Sequence, residues 1–87
     1  KQFMAYKQLT KLIREKTQRK ETIETKVLNL YEASNPSLYY VYEVLGDYYA
    51  AIQQIDTAIT YWQKALTMPI PKQAEKVRIQ QKINKNQ

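Results

Sequence analysis

Eighty-seven residues make one small domain, close to the lower limit for a self-sufficient core. The chain has no cysteine and no histidine, which excludes disulfide scaffolds, thiolate zinc sites and thiol nucleophiles, and removes the commonest general base and metal ligand. The net charge of +6 is unevenly spread: residues 1–26 carry eight Lys or Arg against three Glu, residues 27–71 carry Lys64 against four acids, and residues 72–87 carry five basic residues against Glu75.

One glycine and three prolines are too few for the many turns of a sheet protein, so the composition favours a few long helices. Apolar spacing predicts a first helix over 3–18, with Tyr6, Leu9 and Ile13 on one stripe. From Arg14 to Thr22 no apolar residue occurs, and loss of the stripe predicts a turn near Gln18 to Lys20. A second helix, 21–33, carries Ile23, Val27, Leu30 and Tyr31; "SNPS" at 34–37 ends it, because Pro36 lacks an amide donor and disfavours helix at Asn35. A third runs from Leu38 to Ile52, with a weak turn at 53–55. A fourth runs from Asp56 to Thr67, with Asp56 favourably placed at its positive N-terminal end. "MPIP" at 68–71 breaks the chain before a fifth helix, Lys72 to Lys85, whose stripe of Val77, Ile79 and Ile83 is loose. The fold class expected is all-α, and no apolar run reaches the roughly 20 residues of a membrane span.

Helix pairs of this length invite a search for a repeat near 34 residues. Tyr42-x-x-Leu45-Gly46-x-x-Tyr49 is followed by Ala58-x-x-x-Trp62-x-x-Ala65, with Pro69 and Pro71 beyond. This stretch, 39–71, resembles a tetratricopeptide repeat (TPR). The resemblance implies an antiparallel helix-turn-helix array, with Gly46 and Ala58 small where two helices cross. Leu45, Tyr49, Trp62 and Ala65 would fill the space between neighbours, and Tyr42 would pack against the preceding repeat. Two departures stand out: Tyr42 replaces the usual tryptophan, and Gln53 stands where a turn glycine is common. A degenerate copy covers about 3–36. Tyr6, Leu9, Thr10 and Ile13 match Tyr42, Leu45, Gly46 and Tyr49 at a displacement of 36, and Ile23, Val27 and Leu30 match Ala58, Trp62 and Ala65 at 35. The copy lacks glycine and puts a bulky Ile23 at a small-residue slot. Residues 72–86 then form the polar cap that such arrays need.

TPR arrays bind peptides or helices on the concave face made by the first helix of each repeat. By resemblance that face presents Tyr40, Glu43, Val44, Asp47 and Ala51, and from the degenerate copy Met4, Lys7, Gln8, Lys11 and Arg14. Tyr42, Tyr49 and Trp62 are expected in the core, Tyr48 and Tyr61 between helices or on the outer face, and Tyr40 as a contact residue. Glu43 and Asp47 argue against the carboxylate clamp of co-chaperone TPR domains, because acids repel a carboxylate. They are expected instead to pair with Lys7 and Lys11 on the neighbouring first helix, each exposed pair contributing about 0–1 kcal/mol. Nucleic acid is not expected, because the cations lie at the ends and the aromatics in the middle. Glu43 and Asp47 lie one turn apart, but no third ligand converges on them, and no metal, cofactor or catalytic activity is expected.

The function expected is protein interaction or scaffolding, with a peptide, a helix or the rest of its own chain as partner, and a homodimer as a further possibility. The alternative is an accessory C-terminal helical module of a larger bacterial enzyme: "ALTMPIPKQAEKVRIQQKI" is loosely similar to the helical tail of some N-terminal-nucleophile acyltransferases. Lys1 rather than Met at the start leads us to expect a segment of a longer protein, and the compartment stays open, with the cytoplasm favoured.

Overall fold

The computed structural model describes the backbone of residues 2–87 and the side chains of residues 5–87. Five helices follow one another: α1 (Gln2–Arg19), α2 (Thr25–Ser34), α3 (Tyr39–Ala51), α4 (Ile55–Leu66) and α5 (Gln73–Lys85). No strand occurs among the described residues. The fold is an all-α helix-turn-helix array. Each helix packs on the next in the chain, and α1 packs also on α3. The result is a slab of 32 × 28 × 17 Å, with α1, α3 and α5 in one layer and α2 and α4 in the other.

α1 continues through the polar stretch to Arg19 and then stops by a specific device. Lys20 takes a positive φ of 58°, its N–H bonds the Thr17 carbonyl, and the Glu21 N–H bonds the Lys16 carbonyl. α3 ends in the same way: Gln53 has φ 69°, its N–H bonds the Ala50 carbonyl, and the Gln54 N–H bonds the Tyr49 carbonyl. This is the paired 5→2 and 6→1 arrangement that satisfies the last carbonyls of a helix through a left-handed residue. The absent turn glycine at position 53 is therefore a real mismatch, with glutamine held in a conformation that glycine adopts at no cost.

α2 begins at Thr25, later than the expected 21. Residues 21–24 form a linker, whose Ile23 packs against the core while its N–H donates to the Tyr48 hydroxyl at 2.8 Å. The buried face of α2 is also differently phased: Leu28 and Tyr31 are buried, Val27 is partly covered, and Leu30 is 62% exposed. The expected match of Leu30 to the buried Ala65 is thus corrected. Ile23 sits in the linker, so it does not meet α1 as a helix-crossing residue.

The core joins Ile13 of α1 and Tyr31 of α2 to Val41, Tyr42, Val44, Leu45 and Tyr48 of α3, Ala58, Trp62 and Ala65 of α4, and Ile79 and Ile83 of α5. The crossing of α3 on α4 depends on Gly46. A Cβ there would fall inside van der Waals contact of Trp62 Cδ1 and Nε1, and 3.0 Å from its Cε2. Ala58 is fully buried at the same crossing layer. Thr10 holds the matching place on α1 and donates to the Tyr31 hydroxyl at 2.8 Å, while the Tyr6 and Tyr31 rings stack at 5.8 Å.

The other tyrosines are largely spent on packing. Tyr42 is buried and donates to the Pro36 carbonyl at 2.6 Å, fixing the α2–α3 turn. Tyr48 is buried rather than on the outer face. Tyr49, expected in the core, is only partly buried and stacks on Tyr61 with centroids 5.4 Å apart. In α5, Val77 is 43% exposed, so only Ile79 and Ile83 anchor that helix to the core.

Candidate functional site

The expected concave-face residues occupy the layer of α1, α3 and α5, with Met4 outside the described side chains. The structure revises what they do. Val44 belongs to the core, and Glu43 is only 2% exposed. A buried carboxylate requires compensation by charge and hydrogen bonds. Arg78 supplies it bidentately from α5, with Nε to Oε2 at 2.8 Å and Nη2 to Oε1 at 2.7 Å, and Lys82 Nζ adds a third bond to Oε2 at 2.8 Å. Lys82 also reaches both Asp47 oxygens, at 2.9 and 3.0 Å. Trp62 Nε1 donates to Asp47 Oδ1 at 3.1 Å, which connects this network to the α3–α4 crossing.

The expected pairing of Glu43 with Lys7 and Asp47 with Lys11 is therefore replaced by pairing with α5. The physical idea of neutralisation between alternate helices holds, but the neighbour is the C-terminal one. That neighbour brings the Arg78 guanidinium, whose planar fork meets the Glu43 carboxylate edge to edge, whereas Arg14 of α1 is turned to the Tyr40 hydroxyl. A sequence signal for this existed. Arg78 stands 35 residues after Glu43, and Lys82 stands 35 after Asp47, so carrying the repeat displacement forward aligns two cations one turn apart with two acids one turn apart. Treating α5 only as a solvating cap concealed it.

The two carboxylates respond in opposite ways. Burial pushes the Glu43 carboxyl up, but the bonds from Arg78 and Lys82 overcome this and hold it below its ordinary value. Burial dominates at Asp47, whose carboxyl is raised despite Lys82. The Arg78 guanidinium is held still more firmly protonated by its bonds to Glu43. At the start of α3, the buried Tyr39 donates to Glu75 Oε1 of α5, and burial together with that carboxylate pushes its hydroxyl up to about 12.

On the other flank, Arg14 Nη1 donates to the Tyr40 hydroxyl at 2.6 Å. Arg14, Tyr40, Glu43, Asp47, Arg78 and Lys82 then line one open cavity of about 250 Å³. A second depression, lined by Lys7, Thr10, Lys11, Arg14, Glu15 and Gln18, adjoins it through Arg14. Of the sequence-predicted site residues, Arg14, Tyr40, Glu43 and Asp47 thus converge on one cavity, while Lys7 and Lys11 line the flank beside it. Arg78 and Lys82 complete the lining of this cavity and are the residues that the sequence reading missed. The predicted structural residues Tyr42, Leu45, Gly46, Ala58, Trp62 and Ala65 are all buried behind this face, with Tyr49 half-buried.

No group of three or more His, Cys, Asp or Glu that could hold a metal occurs among the described residues, and no helix there is long and apolar enough to cross a membrane. No family model, curated protein or solved structure matches the chain.

Proposed function

We propose that this chain is a tetratricopeptide-like interaction module of about two repeats, residues 3–36 and 39–71, with 72–86 as cap, and that it binds a peptide or helix across the face of α1, α3 and α5. The observation that carries this reading is the cavity between those helices, whose polar side chains are already oriented by a buried network anchored at Glu43. Side chains held by packing and hydrogen bonds lose little conformational freedom when a ligand arrives, and that lowers the cost of binding. The aromatic residues support the same reading by exclusion. Most of them are committed to the core or to stacking on one another, so among the described residues no row of open rings is left as a platform for bases.

Selection from a random library of end-capped peptides, followed by hydrogen exchange of the selected complexes, tests the proposal. The expected result is added protection in α1, α3 and α5, abolished by Tyr40→Ala. Protection confined to α2 and α4, or binding indifferent to Tyr40, would refute it.

A further inference from the structure

We propose that the surface of α3 and α4 beneath α5 takes α5 from a second copy of this chain, so that two copies exchange their C-terminal helices across a hinge at 67–72. The exchange is independent of the peptide-binding reading. It rests on two features of α5: a hold that any copy can supply, and a hinge whose residues prefer to stay extended.

The hold is a single stripe. Ile79 and Ile83 enter the core, Arg78 and Lys82 bond Glu43 and Asp47, and Glu75 accepts from Tyr39. Residues 78–79 and 82–83 are thus two basic–isoleucine pairs one turn apart, set against two acids one turn apart on α3. The rest of α5 is exposed, Val77 included. None of these contacts requires α5 to belong to the same chain. Charge also suits the exchange. α3 carries Glu43 and Asp47 and no cation, while α5 carries Lys76, Arg78, Lys82 and Lys85 against Glu75. Exchange therefore joins unlike charges, although the whole chain is positive.

The hinge supplies the reason to exchange. α4 ends at Leu66 and α5 begins at Gln73, so a closed chain must reverse within 67–72. Among the described residues, no main-chain hydrogen bond holds 69–71. Met68 and Ile70 pack against the core, but Pro69, Pro71 and Lys72 are exposed. The prolines fix φ at about −65° and push Met68 and Ile70 toward extended backbone, which leads α5 away from α4. They also prevent α4 and α5 from fusing into one helix. Extended, the hinge spans about 20 Å, against about 18 Å for the whole of α4, so α5 can reach a neighbouring copy.

A closed chain presents its own α5 at an effective concentration of about a millimolar, so sedimentation should detect a wild-type dimer by about 1 mM. The sharper comparison uses two full-length variants, Asp47→Lys and Lys82→Glu. Each mismatches the 47–82 pair within its own chain and keeps the Glu43–Arg78 pair. Only exchange between the two variants rebuilds matched sites, one as in the wild type and one with the charges reversed. Their mixture is expected to dimerise about tenfold more tightly than the wild-type chain, and either variant alone no more tightly than it. Circular dichroism checks that both variants fold, and two wild-type measurements stand without them. Six Gly or Ser residues inserted after Ile70 ease the reversal and are expected to abolish the dimer. A nitroxide on the exposed position 81, through Gln81→Cys in one copy, is expected to broaden the Glu43 to Asp47 amides of an isotopically labelled second copy. A chain that stays monomeric to about 1 mM, alone and as the variant mixture, would overturn the exchange. So would a dimer that leaves the α3 amides sharp, or one unchanged by the longer hinge. Competition against the dimer by a peptide of residues 73–85, matched equally by the same peptide with Gln at 78 and 82, would overturn the second copy as the occupant in favour of any apolar helix.

Discussion

Replacing Glu43 by glutamine keeps the shape of the side chain and removes its charge. Three charge-assisted hydrogen bonds from Arg78 and Lys82 end on this carboxylate, which is 2% exposed. The amide offers one acceptor oxygen and turns its NH2 group toward cations that can only donate. Breaking a fully buried ion pair by removing one partner costs about 3–5 kcal/mol. Here Arg78 and Lys82 keep 46% and 28% of their side-chain surface in water and can rehydrate, which lowers the expected loss to about 2–3 kcal/mol. At about 4–8 °C per kcal/mol for a domain of this size, the midpoint should fall by about 10–20 °C. Urea unfolding followed by far-ultraviolet circular dichroism and Trp62 fluorescence at neutral pH measures it. The effect should shrink as the pH is lowered. A carboxylate held below its ordinary value contributes stability above the ordinary pKa of 4.5, and loses it as pH falls through the folded value. Asp47, whose carboxyl is raised, acts in the opposite sense: its contribution is present below its ordinary value of 3.8 and is lost as pH rises through the folded value. A loss below about 0.5 kcal/mol for Glu43→Gln, the size of an ordinary surface change, would show that α5 is not held by this network.

Gly46→Ala gains about 1 kcal/mol of helix propensity but drives a methyl group into the Trp62 indole, so a net loss of about 1–2 kcal/mol is expected, with a shift in tryptophan emission. A net gain would mean that α3 and α4 do not cross this closely. Gln53→Gly relieves a left-handed φ of 69° and should stabilise the chain by about 0.5–1 kcal/mol in thermal unfolding; destabilisation would argue that the turn is formed differently. Burial raises the hydroxyl pKa of Tyr6, Tyr31, Tyr39, Tyr42, Tyr49 and Tyr61 above the ordinary 10.0, and raises Tyr39 to about 12. Stability from these groups is complete below pH 10 and is lost as pH rises through the folded values, so tyrosinate absorbance should grow late and together with loss of helix. Early ionisation of most tyrosines with the helices intact would contradict the packing described.

Local signals proved most reliable where a residue's role depends on its own size or backbone. Gly46 and Ala58 are small because two helices cross there, and the positions of Pro36 and "MPIP" mark where the chain must turn. The same reasoning missed the face of α2. Between Arg14 and Thr22 no apolar residue records the phase, and a linker at 21–24 resets which side of α2 turns inward, so Leu28 is buried and Leu30 exposed. Which of the two places expected for Tyr48 it takes, between helices or on the outer face, was hidden for a related reason. Its hydroxyl is satisfied by the N–H of Ile23, a partner 25 residues away that no local pattern announces.

The amino-acid sequence alone determined the all-α class, the five helices and the tight crossing of α3 on α4, because helix formation, chain breaks and close approach depend on residues near one another in the chain. The character of the α1, α3 and α5 face was decided only by tertiary structure. Whether Glu43 and Asp47 are unpaired acids or the counterions of Arg78 and Lys82, with Glu43 buried and Asp47 partly so, depends on how α5 returns across the break at 68–71. Electrostatic partners are chosen by distance in space, and the packing of α5 beside α3 brings together groups 35 residues apart along the chain.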